Sequence, residues 1–547
     1  MKTHISFGKI MVGAIALTLF ANTSLLAQKK ARPGKPNIIL VLVDDLGFSD
    51  TGPYGAFDLE TPNINRLASE GIKLKEFYNN SICAPTRASL LTGQYQHKAG
   101  VGYFNVNLGL PAYQGFLNKE SLTLAEVLKS GGYSTIISGK WHVGDDKDQW
   151  PAQRGFDKSF GFIGGASNYY EINENGKEDV KLLKNNEPYY LAKDKYLTEE
   201  ITNNALEFLD EQDAEKKPFF LYLAYNAPHW PLQALPEDIA KYKGRYSIGW
   251  DSLRTLRHKN AIEEGVIDKD QKIAIKDDKL QSWNKLTYDE QQYWQTRQEV
   301  YAAMIDRVDQ GIGRVLAKLK ELKKDDNTLI VFISDNGAQG GNGLRLYTSR
   351  NTGPVGTAGS YEVQNSNWSQ TGNSPLRNYK GTPYEGGISA PFIAWYPKSI
   401  KANTIAQGTA HLIDLAPTFY QLAGVQYPAK YKGITTNALP GKSLLPVLTG
   451  QADKLNRGGP LFWERGGNKA VRDGKWKLVS TNEGKYELYD IEKDRAENTD
   501  LAAQNPDVVQ QLKEQYKVWA QKNDVVDYNK LKGVQQGRNS APARGAF

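Results

Sequence analysis

Cysteine is nearly absent from this chain: Cys83 is the only one in 547 residues. A lone cysteine excludes an internal disulfide and stands instead as a candidate reactive group. Histidine is scarce too, with six in all and no cluster at zinc-ligand spacing, which disfavours zinc. A strong charge imbalance is also missing. The formal net charge of +7 is mild for this length, and no dense Lys/Arg tract or nucleic-acid module appears. Nucleic acid is therefore not an expected partner, whereas acidic substrates are tolerated. Beyond Ala21 nothing resembles a transmembrane helix.

The one marked apolar run is N-terminal. Lys2 and Lys9 flank the start of residues 10–21, in which Thr18 is the only polar side chain, and Ser24-Leu-Leu-Ala27 offers a cleavage site. This layout predicts a secretory signal peptide over residues 1–27, exported by the Sec machinery. No cysteine follows the run, which excludes a lipid anchor on that residue type. The mature chain is expected in the periplasm or outside the cell.

The remainder alternates between strand and helix patterns. Residues 38–43 form an unbroken aliphatic run, as a strand covered on both faces requires. Further strands are predicted at 133–138, 219–225, 329–334 and 392–395, and helices at 61–71, 121–130 and about 288–322. The fold class is therefore α/β: a large, mostly parallel sheet between helices, over residues 28–450. After residue 450 the alternation in 469–479 and 486–490 predicts a small antiparallel sheet, closed by a helix over 506–521. This gives a C-terminal α+β subdomain at 451–535, and a flexible tail at 536–547.

Polar residues gather at the ends of the strands. Asp44 and Asp45 follow the first, Lys140 and His142 the second, His229 the third, and Asp335 and Asn336 the fourth. Open α/β sheets bind ligands beyond the carboxyl ends of their strands, so these side chains should share one crevice. Asp44, Asp45, Asp335 and Asn336 are oxygen ligands suited to a hard cation, calcium better than magnesium. Cys83 lies just before Pro85, which is read as the first residue of a helix, where backbone N–H groups favour an anion.

Five blocks then match in order: Val43-Asp-Asp-Leu-Gly47, Cys83-Ala-Pro-Thr-Arg87, Gly139-Lys-Trp-His-Val-Gly144, Ser334-Asp-Asn-Gly337 and Lys380-Gly-Thr-Pro-Tyr-Glu-Gly-Gly387. With Pro228-His-Trp-Pro231 they cover most of residues 36–448. On these blocks the chain resembles the type I sulfatases, in the arylsulfatase branch of the alkaline phosphatase-like superfamily. Two departures are small: Thr86 stands where serine is frequent, and Gln94 where arginine is common.

The resemblance implies that Cys83 is oxidised to Cα-formylglycine (3-oxoalanine) before folding, by a formylglycine-generating or an anaerobic sulfatase-maturing enzyme. It implies one calcium ion held by Asp44, Asp45, Asp335, Asn336 and the modified Cys83. One hydroxyl of the hydrated aldehyde attacks sulfur; loss of a proton from the other expels sulfate and regenerates the aldehyde. Arg87 would steady the hydrate, and Lys140 and Lys380 would bind sulfate oxygens. His229 or Lys380 would protonate the leaving alcohol, and His142 would act as base. The expected substrate is a sulfated saccharide or small molecule, with aryl sulfates as surrogates. A phosphate or phosphonate monoester hydrolase on the same fold, or a silent glycan-binding protein with unmodified Cys83, are the alternatives. Loops 95–114, 164–190 and 340–378, and an insertion at 241–283, are expected at the pocket mouth. Tyr169, Tyr170, Trp230 and Trp368 are candidates for stacking on a sugar, with packing as the competing use.

Overall fold

A single apolar run sets the centre of the molecule in the computed structural model, which describes residues 1, 3–4, 34–172, 181–277, 279–340, 350–482 and 484–539. Asn37–Val43 is buried along its whole length. Ile38, Leu40 and Leu42 point into one core and Ile39, Val41 and Val43 into another, so the strand is covered on both faces.

Among the described residues the large sheet has ten strands: β1 Asn37–Val43, β2 Ile72–Tyr78, β3 Ser134–Gly139, β4 Lys158–Phe162, β5 Leu182–Lys184, β6 Glu187–Pro188, β7 Phe219–Ala224, β8 Thr328–Ser334, β9 Phe392–Trp395 and β10 Thr404–His411. Their order is β10-β2-β9-β8-β1-β7-β3-β4-β5-β6. The run β8-β1-β7-β3-β4 is parallel throughout; its first four strands are ones the sequence predicts, and β4 extends them. Outside it the sheet is mixed. β9 lies antiparallel between β8 and β2, and β5 and β6 add an antiparallel edge. Five strands, β2, β4, β5, β6 and β10, go unseen in the sequence. β2 alternates with Lys73 and Lys75, yet Lys73 is buried and pairs with Glu264 at 2.9 Å.

Helix boundaries follow their caps. The helix expected from residue 121 begins at Leu124, because Thr123 accepts from the Glu126 amide while Glu126 reaches back. The same box at Thr287 and Glu290 starts the long helix Tyr288–Glu321. No helix among the described residues is long and apolar enough to cross a membrane. Residues 2 and 5–33, which hold nearly all of the expected signal peptide, lie outside the described residues.

The strands Leu461–Arg465, Asn468–Asp473, Trp476–Ser480 and Tyr486–Asp490 form the small antiparallel sheet, with Pro506–Lys522 as its helix. A further helix, Tyr528–Asn539, runs into the segment expected as a tail; residues 540–547 lie outside the described residues. Buried charge joins this sheet to the large one. Lys477 Nζ lies 2.8 Å from both Glu385 and Glu497, and Arg495 and Tyr78 also reach Glu385. Glu385 is therefore structural, as its place beside the Gly386-Gly387 turn suggests. Removing one partner of a buried ion pair costs roughly 3–5 kcal/mol. Lys477→Met should lower stability by about that amount in urea unfolding, and an unchanged midpoint would refute this view of the junction.

Candidate active site

Parallel pairing brings four strand ends side by side, since β8, β1, β7 and β3 are consecutive neighbours. Asp335 and Asn336, Asp44 and Asp45, and Lys140 and His142 leave three of these ends directly, and His229 follows from the fourth. All are buried. The helix Cys83–Thr92 supplies the rest. Cys83 is its first residue and Ile82 its cap, so Pro85 falls third rather than first. A proline remains harmless there, because first-turn amides have no helical acceptor. Arg87, one turn on, is fully buried. It lies 3.3 Å from Asp44 and 3.5 Å from Asp335, and donates to the Lys140 carbonyl at 3.0 Å. Thr86 donates to the Asp335 carbonyl at 2.7 Å, so threonine keeps a working hydroxyl there. Gln94 donates to the Asn437 and Ala438 carbonyls, a packing use.

Opposite charges hold one another in place. Lys140 Nζ is 2.5 Å from Asp44 Oδ2, and Lys380 Nζ is 2.6 Å from Asp45 Oδ1. Asn336 Nδ2 donates to the same Asp45 oxygen at 2.6 Å, and the Asp45 amide donates to Asp335 at 3.1 Å. His229 Nδ1 sits 2.7 Å from the Trp230 carbonyl, which turns Nε2 toward Asp45 Oδ2 at 3.6 Å.

The donor set fits a hard cation. Asp44 Oδ1, Asp45 Oδ2 and Asn336 Oδ1 are buried without a hydrogen-bond partner among the described residues. Each such orphan costs about 1–3 kcal/mol unless something else meets its lone pairs. Asp44, Asp45 and His229 can bring one ligand atom each within 4.8 Å of one another. Burial and the adjacent Asp44 hold Asp335 above the usual carboxylate range. At Asp44 burial pulls the same way, but Lys140, His229, Arg87 and Lys380 outweigh it and keep the carboxylate ionised. Two carboxylates this close disfavour each other's ionisation, a repulsion that a cation held between them would relieve.

Two other groups are tuned by burial. The Cys83 thiol is pushed above its ordinary pKa by burial, against the pull of Lys140 and Lys380. An unmodified cysteine would therefore stay a thiol, a poor nucleophile. Burial, helped by Lys140 and Arg87, holds His142 well below its ordinary value, so the ring is neutral. Both its nitrogens lack a partner among the described residues, and the Phe104 ring meets it edge-on at 5.0 Å.

The structure adds residues that sequence reasoning missed. The Asn373 side chain accepts from the Phe48 and Ala338 amides, at 3.4 and 3.0 Å, and donates to the Asn378 carbonyl at 3.0 Å. It thus ties together the segments that carry Asp45, Asn336 and Lys380. Tyr301 places its hydroxyl 3.1 Å from the Asp45 carbonyl and 2.8 Å from Asp50, which Arg257 grips at 2.5 Å. Gly47 must be glycine, since a Cβ there would sit 2.3 Å from the Gly372 carbonyl oxygen.

Several expectations about the pocket mouth are corrected. Segment 241–283 is no loose insertion: Trp250, Leu253 and Ala261 enter the core, and Arg257 supports Asp50 from within. Trp368 is buried against Trp250 and Trp283, at ring-centroid distances of 5.6 and 5.7 Å. Tyr169 is buried with its hydroxyl on the Asn226 and His229 carbonyls, where it anchors the histidine. Neither ring is placed to stack on a sugar. Residues 173–180 and 341–349 of the two expected loops lie outside the described residues.

Residues 36–425 match the sulfatase family model, and residues 379–522 match the model of the N-sulphoglucosamine sulphohydrolase C-terminal region. An uncharacterised sulfatase of Schizosaccharomyces pombe is 34% identical over 91% of this chain and 96% of its own. An arylsulfatase of Klebsiella aerogenes is 31% identical over 80% of this chain and 95% of its own. The crystal structure of Ps i-CgsB in complex with k-i-k-neocarrahexaose superposes with a TM-score of 0.68, at 28% identity, covering 93% of this chain and 98% of that one.

Asn373 offers a direct test of the geometry. Asn373→Ala would strand two buried backbone amides and a half-buried carbonyl and release three loops at once, so hydrolytic kcat/KM should fall at least tenfold, on the order of 1–3 kcal/mol per orphaned buried group. Turnover equal to that of the parent would show that the loops hold their places without it.

Proposed function

Since the chain belongs to the sulfatase family and is a sulfuric ester hydrolase, we propose that it removes sulfate from a carbohydrate outside the cytoplasm, using a formylglycine made from Cys83 and one calcium ion. The observation that carries this reading is the buried set of orphaned carboxyl and amide oxygens beside Cys83, with Arg87, Lys140 and Lys380 around it. The saccharide as substrate is supported by the neocarrahexaose complex of the similar structure. Export is supported by the Lys-flanked apolar run at residues 10–21.

Asp44, Asp45, Asp335 and Asn336 would hold the calcium, which supplies Lewis-acid polarisation of a sulfate oxygen. The hydrated aldehyde at position 83 would supply a hydroxyl nucleophile that a buried thiol cannot. Lys140 and Lys380 bind the remaining sulfate oxygens as point charges, each already oriented by an aspartate. Arg87 steadies the nucleophile's position from one helical turn away. His142, neutral by burial, has ring nitrogens ready to take a proton. His229 or Lys380, both of which reach Asp45, would protonate the leaving alcohol.

Cys83 is 2% exposed in the folded chain, so an enzyme that oxidises it must act before folding. Peptide mass spectrometry of active protein from its own host should find an aldehyde at position 83. An unmodified thiol in active protein would overturn the formylglycine reading. Cys83→Ala should abolish hydrolysis of p-nitrophenyl sulfate with the fold intact. Asp335→Ala should lose bound calcium and activity together, because the ion needs about six to eight oxygens and few remain. Calcium content and rate unchanged in that variant would remove the metal assignment. A parent enzyme that prefers phosphate esters or phosphonates to sulfate esters would move the function within the same fold.

A further inference from the structure

Arg465 ends the strand Leu461–Arg465 of the small sheet, and unlike the other arginines near the site it is not neutralised. Its Nε is buried without a partner, and no carboxylate pairs with it among the described residues. Its guanidinium lies over the Tyr103 ring, 5.2 Å from the centroid. It also passes beside Gly381, the residue after Lys380: a Cβ there would lie 3.8 Å from Arg465 Nη1. The Gly381 amide in turn donates to the Ser81 carbonyl at 2.7 Å, two residues before Cys83. On the other side, Phe104, next to Tyr103, meets the His142 ring. Arg465 therefore touches the chain neighbours of Lys380 and of the Phe104 that meets His142, from an element that carries none of the residues assigned above.

The loop beneath it is braced. Tyr103 packs with the cluster of Leu108, Ala112, Tyr113 and Leu531, which joins the loop to the helix Tyr528–Asn539. The Val526 amide donates to the Tyr113 hydroxyl at 3.0 Å. The arginine and its aromatic platform thus have a fixed relation to the catalytic groups.

From this placement we propose that Arg465, on its Tyr103 platform, is a second anion subsite, which selects saccharides carrying another sulfate or a carboxylate beside the scissile sulfate. A guanidinium presents a planar fork of donors that matches either group with two parallel hydrogen bonds. The scissile sulfate is already served by Lys140 and Lys380, so the spare cation answers to a different charge on the ligand. The proposal rests on the sulfated-saccharide reading, and the experiment separates the two.

The test is calorimetric titration of the Cys83→Ala protein, which binds without turnover, against a panel of sulfated mono- and disaccharides. The panel pairs each disulfated or uronate-bearing member with its monosulfated counterpart. The second charge should tighten binding, and Arg465→Gln should reduce that advantage roughly tenfold, the scale of one lost charge-assisted hydrogen bond. Arg465→Lys should restore part of it, since the charge returns without the fork. If the second charge gives no advantage, or gives the same advantage in Arg465→Gln, the subsite is refuted and the sulfatase reading stands. If no sulfated sugar binds at all, the saccharide reading falls with it.

Discussion

Three carboxylates, Asp44, Asp45 and Asp335, and two cations, Arg87 and Lys140, are buried together at one edge of the sheet, with Lys380 half-buried beside them, and none of the buried charges is tolerable there alone. Desolvating an isolated charge costs several kcal/mol even after relaxation, so each is held by its partners. The formal charges balance, yet the balance is uneven in space: oxygens of Asp44, Asp45 and Asn336 face inward with nothing to meet them. A divalent cation, as proposed, would satisfy those oxygens and leave the cluster with surplus positive charge. An anionic ester is then the natural counterion. On this argument cation and substrate recruit each other, and the resting protein is poised between them.

The strands put these groups on the right edge but do not fix them to the fraction of an ångström that catalysis needs. That precision comes from a second tier of buried polar contacts. Asn373 links three of the loops, Tyr301 and Asp50 fix the Asp45 turn, and Arg257 holds Asp50 to Asp58. Asp45 itself adopts a left-handed φ of 67°, a conformation that persists because these contacts overdetermine the turn. The site is rigid because its supports are as deeply buried as its charges.

How much of this could be read from the sequence depends on how local each signal is. The parallel core was legible from unbroken apolar runs, and Asp44, Asp45, Lys140, His142, Asp335 and Asn336 were legible because each follows such a run closely, whereas His229 lies further on and Lys380 came only with its matching block. Cys83 and Arg87 share a helix face within one turn. The supports left no such trace. Arg257 meets Asp58 across 199 positions and Asn373 meets Phe48 across 325, so neither pairing appears in spacing or composition. β2 leaves no trace for a related reason: Lys73 and Lys75 break its apolar pattern, and their partners Glu264 and Asp268 lie 191 and 193 positions away. Trp368 and Tyr169 misled in the opposite sense, since aromatic residues in a polar loop look available for a ligand when the fold has already buried them.

The small C-terminal sheet is less of an appendage than its position in the chain suggests. The block from Lys380 to Gly387 begins in the active site, where Lys380 meets Asp45, and a few residues later Glu385 is gripped by Lys477 and Arg495. A shift of the small sheet would therefore be transmitted through a short, glycine-rich segment to a group that holds the substrate. The same sheet presents Arg465 beside Gly381. On the proposed subsite, chemistry and substrate choice would occupy separate elements, the strand ends of the large sheet and an edge of the small one. Lys380 lies between them, and its position depends on both.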